Sequence, residues 1–230
     1  MRLCYIQHVP FEDPGGILQW AAERGHAVHG AHMHAEQPLP EPAPFDGLVV
    51  MGGPMSIHDE ASYPWLAAEK RAIGTALDAG RKVLGVCLGA QLLAHVLGSN
   101  VGPQAHREIG WFDVAMTEAG RAHPWTSALP SRFAAFHWHG EAFDVPEGAV
   151  HLARSQACEA QAFAWSDRAL GLQFHLESTP DTVAELVRHG AHELDGGPWV
   201  QSADHILDGH GHIARMYPMM SELLDRFFGV

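Results

Sequence analysis

The stretch Lys82-Val-Leu-Gly-Val-Cys-Leu-Gly-Ala-Gln91, continuing Leu-Leu-Ala-His-Val-Leu-Gly98, decides how this chain folds. Lys82 to Val86 is a continuous apolar run, the pattern of a parallel strand buried on both faces. Leu88 to Leu97 carries apolar residues at helical spacing, and Gly98 closes the helix. Between them lies Gly85-Val86-Cys87-Leu88-Gly89, a G-x-C-x-G motif where strand gives way to helix. A nucleophile elbow needs this arrangement, because the turn is tight and side chains at the flanking positions would collide with the neighbouring strand and helix. The thiol of Cys87 then stands at a helix amino terminus, where free N–H groups and the helix dipole favour thiolate. The N–H of Leu88 points to where an oxyanion would form. The plain alternative for Cys87 is a small core residue packed beneath a helix.

Outward from this point, strands and helices alternate. Leu3 to Gln7 reads as a short strand, Gly16 to Arg24 as a helix stopped by Gly25, and Ala27 to Met33 as a second strand. Pro38, Pro40, Pro42 and Pro44 then exclude regular structure and predict a surface connection. Gly47 to Met51 is another buried parallel strand, ending in Gly52-Gly53-Pro54, and Ser62 with Glu69 to Ala79 supports a helix closed by Gly80. Alternation of this kind predicts a doubly wound α/β fold with a mostly parallel central sheet and flanking helices. From Trp111 to Gln173, short segments separated by Gly and Pro turns predict a small antiparallel extension. Pro180 to Leu194 and Met219 to Phe228 read as late helices. No repeat or low-complexity linker interrupts the chain, so a single domain over residues 1–230 is expected, with 198–230 a C-terminal helical extension.

Composition narrows the function. With 230 residues and 47% apolar content, a single domain buries roughly 70% of its unfolded surface, which excludes disorder. The formal charge of −13 opposes the counterion release on which nucleic-acid binding depends, so nucleic acid is not an expected partner. No stretch of 18 apolar residues suggests a membrane span, and the first ten residues hold a single basic side chain, so a cytoplasmic location is expected. The 3 cysteines are odd in number and far apart, which suits a reducing compartment. Cys4 and Cys158 lie in apolar strand-like segments and read as structural.

A cysteine nucleophile needs a base, and the base needs a third group to orient it. Phe174-His175-Leu176-Glu177 supplies both: on an extended segment, residues at i and i+2 share a side, so Glu177 can hold one imidazole nitrogen of His175 while the other faces a thiol. The turn Gly52-Gly53-Pro54-Met55-Ser56 follows its own buried strand and lets backbone N–H groups approach a ligand, with Gly53 a second oxyanion donor. Parallel sheets hold ligands beyond the carboxyl ends of their strands, and three such ends carry these motifs.

In this order, the GGP turn, the GxCxGxQ elbow and the FHxE segment resemble the class I glutamine amidotransferase family. The segments GGPMSIHDE, GVCLGAQLLAHVLG, EIGW, WHGE and GLQFHLE are similar to its stand-alone GMP-synthase-like members. The resemblance implies a flavodoxin-like fold and a triad of Cys87, His175 and Glu177 that attacks the side-chain amide of glutamine through a γ-glutamyl thioester. It places Gly53 and Leu88 in the oxyanion hole, and Gly52, Gln91, Trp138 and Gly140 among the substrate-binding residues. A solvated helix residue is the alternative for Gln91, and a core aromatic for Trp138. Leu176 departs from the family pattern, which often has proline there. No cofactor is implied. No G-x-x-x-x-G-K-[ST] motif occurs, so a separate synthetase subunit is expected to receive the ammonia.

Other readings use the same residues differently. A γ-glutamyl peptidase or hydrolase would apply the triad to a γ-glutamyl compound other than glutamine. The pairs His32/His34, His137/His139 and His210/His212 could chelate a metal. Yet 18 histidines generate such pairs by chance, and none has a second ligand pair nearby in sequence, so no metal site is expected. A non-catalytic interaction protein would use the fold and the apolar residues of 198–230 as a partner surface.

Overall fold

Among the described residues, the apolar runs of the amino-terminal half form most of the parallel part of one nine-stranded sheet. A computed structural model describes residues 1–39 and 45–230, with His210 through its backbone only. Of the four prolines expected in a surface connection, Pro38 is exposed and irregular; Pro40, Pro42 and Pro44 lie outside the described residues. The strands are β1 (Arg2–Gln7), β2 (Ala27–His32), β3 (Gly47–Val50), β4 (Lys82–Val86), β5 (Val101–Met116), β6 (Arg132–Phe143), β7 (Val150–Arg154), β8 (Ala162–Trp165) and β9 (Ala169–Leu172). The helices are α1 (Gly16–Glu23), α2 (Trp65–Asp78), α3 (Leu88–Val96), α4 (Glu118–Ala122), α5 (Pro180–Gly190), α6 (Ala203–Leu207) and α7 (His210–Phe228).

Sheet order is β2-β1-β3-β4-β9-β8-β7-β5-β6. The first five run parallel; from β9 onward each neighbour is antiparallel. This is the mixed α/β architecture expected from the alternating pattern. Because β1 stands between β2 and β3, the chain leaves β1 in one direction and returns past it in the other. The loops following β1 and β3 therefore diverge and open a crevice at the carboxyl ends of the strands, where such folds hold ligands.

The antiparallel part is less fragmented than expected. A single hairpin of β5 and β6 runs from Val101↔Phe143 to Ala115↔Arg132, interrupted between Pro103 and Glu108. Gly110 lies within β5 at φ 124°. A Cβ there would come 2.3 Å from Gln201 Oε1, so this glycine serves close packing.

Two apolar layers cover the sheet. On one face Ile17 and Trp20 of α1 pack with Leu223, Leu224 and Phe227 of α7; on the other, Leu66 and Ile73 of α2 pack with Leu92 and Leu93 of α3. Helix α7 begins nine residues before the expected Met219 and runs through Pro218. Proline removes one helical hydrogen bond. Here Pro218 and Ala214, whose carbonyl loses its partner, are both exposed to water, while Met216 and Met220 on either side are buried. Burial of that stripe outweighs the missing bond. Asp225 ties α7 to α1, accepting from Trp20 Nε1 at 2.8 Å and Arg24 at 2.7 Å.

If α7 belongs to the same cooperative unit as the sheet, Phe227→Ala lowers unfolding free energy by about 3–5 kcal/mol, as expected for a fully buried aromatic. Urea unfolding followed by tryptophan fluorescence measures this. A loss below about 0.5 kcal/mol would place α7 outside that unit.

Candidate active site

Cys87 sits between β4 and α3 with φ 51° and ψ −110°, a region that non-glycine residues avoid and that costs on the order of 1–3 kcal/mol. The flanking glycines explain why the turn closes. A Cβ on Gly85 would lie 2.4 Å from Gly89 O, and one on Gly89 would lie 2.0 Å from Val50 O. Cys87 N donates to Leu172 O at 2.8 Å and Gly89 N to Met51 O at 3.1 Å, so the elbow is fastened to the strand ends on both sides.

His175 arrives just beyond β9 and is pinned to β6, its N–H donating to Phe136 O at 2.8 Å. Its Nδ1 lies 2.6 Å from Glu177 Oε1. Glu177 is held in turn by α1, through Gly16 N to Glu177 O at 2.8 Å. Burial, the largest influence on His175, disfavours its charge. The Glu177 carboxylate, with hydrogen bonding to Cys87 and Glu177, outweighs burial and holds the imidazole well above its ordinary pKa. A Cβ built on Gly52 would be 3.3 Å from His175 Cε1 and 3.6 Å from Cys87 Cβ; sulfur and imidazole thus converge over the Gly52-Gly53 turn. The thiol itself donates to Trp138 O at 3.6 Å, and His175 Nε2 is buried without a protein hydrogen bond of ordinary geometry. Loose contacts of this kind are common before a substrate arrives.

The remaining sequence-selected residues fall into two groups. Cys87, Gly53, Gln91 and Gly140 line one cleft of about 370 Å³ with Arg107 and Glu141. Among the described residues, the N–H groups of Gly53 and Leu88 donate to no protein acceptor, and a Cβ on Gly53 would stand 3.0 Å from Leu88 Cδ2. Gln91 is buried, and its Nε2 is committed to Glu141 O at 3.0 Å and Gln173 Oε1 at 3.2 Å. Only its carbonyl is left for the cleft. Trp138 turns its ring away, over Gly190 and into hydrogen bonding with Glu193 at 3.1 Å, where it lines a smaller adjoining cavity of about 200 Å³. A larger groove of about 470 Å³ holds Cys158 and His151, but burial pushes the Cys158 thiol up to about 12. Cys4 is likewise pushed up to about 11, and all three cysteines are free thiols.

Several site residues were missed in the sequence. Gln173 Nε2 reaches Cys87 Sγ at 3.7 Å; it lies two positions before His175 and shares its side, so the alternation that linked His175 to Glu177 could have found it. His8 donates from Nδ1 to Gly52 O at 2.7 Å and pairs with Glu69 at 2.9 Å, fully buried. Glu12 comes from the loop after β1, and its Oε2 would meet a Cβ on Gly52 at 2.3 Å. Burial raises Glu12 to about 7, against the opposing charges of His175 and His8. Both residues follow a strand end at the crevice, the one positional signal they carry.

Among the described residues, the one group of three ligand-type side chains that converges is Glu108, His137 and His139. Sequence spacing showed the histidine pair but not Glu108, which the hairpin register sets opposite His139. The side chain of His210 is outside the described residues, which leaves the His210/His212 pair unassessed.

A parallel α/β sheet with an elbow thiol and a carboxylate-bound imidazole at its carboxyl edge has the layout of a hydrolytic enzyme. Comparison with known proteins narrows this. Residues 16–193 match the model of glutamine amidotransferase class-I, and the chain belongs to that family. It is 34% identical over 99% of its length to the glutamine amidotransferase-like protein YfeJ of Salmonella typhimurium, covering 95% of that protein. It is 37% identical to the glutamine-hydrolysing GMP synthase of Thermomicrobium roseum over 61% of this chain, and the matched part is 25% of that relative. Among solved structures, a glutamine amidotransferase from Methylobacillus flagellatus aligns at TM-score 0.92 with 33% identity, covering 99% of this chain and 94% of that one. One from Thermotoga maritima aligns at 0.91 with 28% identity, covering 100% and 99%. Among the described residues, no helix is long and apolar enough to cross a membrane.

Because its native pKa is raised, His175 adds stability that is complete below its unfolded value of about 6.5 and is lost as pH rises through the higher native value. NMR of the ring protons is expected to show the His175 midpoint above that of an ordinary histidine in the wild type. Glu177→Gln is expected to lower that midpoint, since Cys87 alone then opposes burial. An unmoved midpoint would mean that Glu177 does not set the charge of His175.

Proposed function

We propose that this protein hydrolyses the side-chain amide of glutamine through Cys87, His175 and Glu177 and releases ammonia to a separate acceptor enzyme. The observation that carries this reading is the convergence of an elbow thiol and a Glu177-bound imidazole beside two unengaged backbone N–H groups. In the proposed reaction, Cys87 Sγ attacks the amide carbon while its proton passes to His175 Nε2. The carbonyl oxygen becomes an oxyanion that accepts from Gly53 and Leu88 N–H. Collapse of that intermediate breaks the C–N bond, and His175 returns the proton to the leaving nitrogen as ammonia departs. Water, giving its proton to His175, then cleaves the γ-glutamyl thioester to glutamate and regenerates the thiol. Glu177 keeps Nδ1–H engaged throughout, so the tautomer is fixed and the imidazolium is stabilised. Arg107 in the cleft suits the substrate α-carboxylate, and Glu141 and Glu193 suit its α-ammonium.

Glutamine as substrate is supported by the relatives named as glutamine-hydrolysing GMP synthases. Because the chain matches about a quarter of such a protein, the synthetase belongs to the proposal as a partner. A second reading is favoured by the adjoining cavity. Glu12, Trp138 and Glu193 line about 200 Å³ beside the cleft, and Glu12 adjoins Gly52 and interacts electrostatically with His175. This is room for an amine larger than ammonia, as a γ-glutamyl hydrolase would need.

Incubation with glutamine and a panel of γ-glutamyl amines and peptides, measuring ammonia, glutamate and freed amine, separates the two. Preference for glutamine by kcat/KM supports the first reading, preference for a bulkier amide supports the second, and no turnover of either overturns both.

Cys87→Ala is expected to lower kcat on the preferred substrate by about 10⁴-fold or more with the fold intact by circular dichroism. Turnover at the wild-type rate would remove Cys87 from the chemistry. Glu177→Gln is expected to lower kcat roughly 10²–10⁴-fold with KM little changed; equal rates would reduce Glu177 to a packing role.

A further inference from the structure

Strand β6 presents Trp138 to one face of the hairpin and His137 and His139 to the other, and the β5–β6 register sets Glu108 opposite His139. All three side chains are at most 1% exposed. Glu108 Oε2 stands 3.5 Å from His137 Nδ1 and 3.2 Å from His139 Nε2, and one ligand atom from each residue lies within 4.8 Å of the others. A tetrahedral zinc ion at about 2.0–2.1 Å from each donor holds neighbouring donors about 3.3 Å apart. Two edges of this cluster already match that spacing.

The hydrogen bonding around these groups does not close. Among the described residues, both ring nitrogens of His137, Nε2 of His139 and Oε1 of Glu108 are buried with no hydrogen-bond partner. Buried polar atoms are rarely left so, and several orphans at one point need a cause. What partners exist behave as outer supports. Gln161 Nε2 and Ser155 Oγ donate to Glu108 Oε2 at 2.6 and 3.0 Å, and His139 Nδ1 is 3.2 Å from Glu141 O and 3.1 Å from Gln104 Nε2. The His139 contacts use its other ring nitrogen, as second-shell contacts do around metals, while Gln161 and Ser155 hold in place the Glu108 oxygen that faces both rings. Gln161 Oε1, also buried and unpartnered, is placed on a side chain that already contacts Glu108 and can supply a fourth donor.

We propose that Glu108, His137 and His139 bind a divalent transition-metal ion, for which zinc is the best match. Two imidazoles and one carboxylate suit zinc and its neighbours better than magnesium or calcium, which prefer oxygen alone. His139 also lines the Cys87 cleft, giving an ion a route from solvent. The site is separate from the proposed amide chemistry: the ion braces β6, whose Trp138 carbonyl accepts from the Cys87 thiol.

The test uses the untagged full chain, stripped with a chelator, loaded with zinc and passed through gel filtration. Wild-type protein is expected to retain a single equivalent and to melt at a higher temperature than the stripped form. Cobalt in place of zinc is expected to give tetrahedral d–d bands without a thiolate charge-transfer band, which distinguishes this site from binding at a cysteine. Glu108→Gln and His137→Leu are expected to lose the retained equivalent, whereas His32→Ala with His34→Ala keeps it, and Cys87→Ala keeps it even with amide hydrolysis abolished. Stripped wild type that retains no zinc and melts at the same temperature with or without it overturns the proposal, whatever the variants do. Retention by Glu108→Gln and His137→Leu equal to wild type does so as well.

Discussion

A residue with a side chain is held at φ 51° between β4 and α3, and nearly everything about the candidate site depends on the molecule sustaining that bend. The backbone conformation opposes folding, so the surroundings must over-determine it. They do so with strand-end hydrogen bonds at Leu172 and Met51 and with two glycines whose missing side chains admit carbonyl oxygens where a methyl would collide. The same bend turns the thiol toward His175 and leaves the first N–H of α3 free. Geometry that would be strain in an ordinary loop is here what gives the sulfur its position.

Local motifs were legible in the sequence because the elbow, the buried strands and the His175–Glu177 spacing each depend on residues a few positions apart. The parallel sheet followed from alternation and the handedness of crossovers. Harder to read were features created by register. Glu108 meets His139 across a hairpin, and His8 meets Glu69 across the space between β1 and α2; neither pairing leaves a periodic trace. Pro218 misled for a related reason: its local preference for a helix boundary is overridden by the buried stripe of α7. Gln91 was legible as a site residue, yet its amide nitrogen is spent on holding Gln173 and Glu141.

The β5–β6 hairpin links parts of the molecule that the parallel sheet alone would keep apart. Its Phe136 anchors His175, its Trp138 carbonyl accepts a hydrogen bond from the thiol, and its Gly140 and Glu141 border the cleft. The parallel half contributes Cys87 and the unengaged N–H groups of Gly53 and Leu88; the antiparallel half fixes what faces them. Glu12 adds an acidic group at the seam, with a carboxyl raised to about 7 by burial. Its ionisation therefore costs stability progressively as pH rises from the ordinary carboxylate range toward 7, opposite in sign to what a salt-bridged acid would do.

Strand β4 finds its second neighbour, β9, only after an excursion of more than eighty residues through the whole antiparallel region, and α1 is covered by α7, joined through Asp225. Contacts so distant along the chain are entropically slow to form. On a ribosome the sulfur-bearing strand emerges long before the segment that brings its imidazole. A nascent chain at that stage exposes the flank of β4 until β9 arrives and the indole of Trp20 until the last helix covers it.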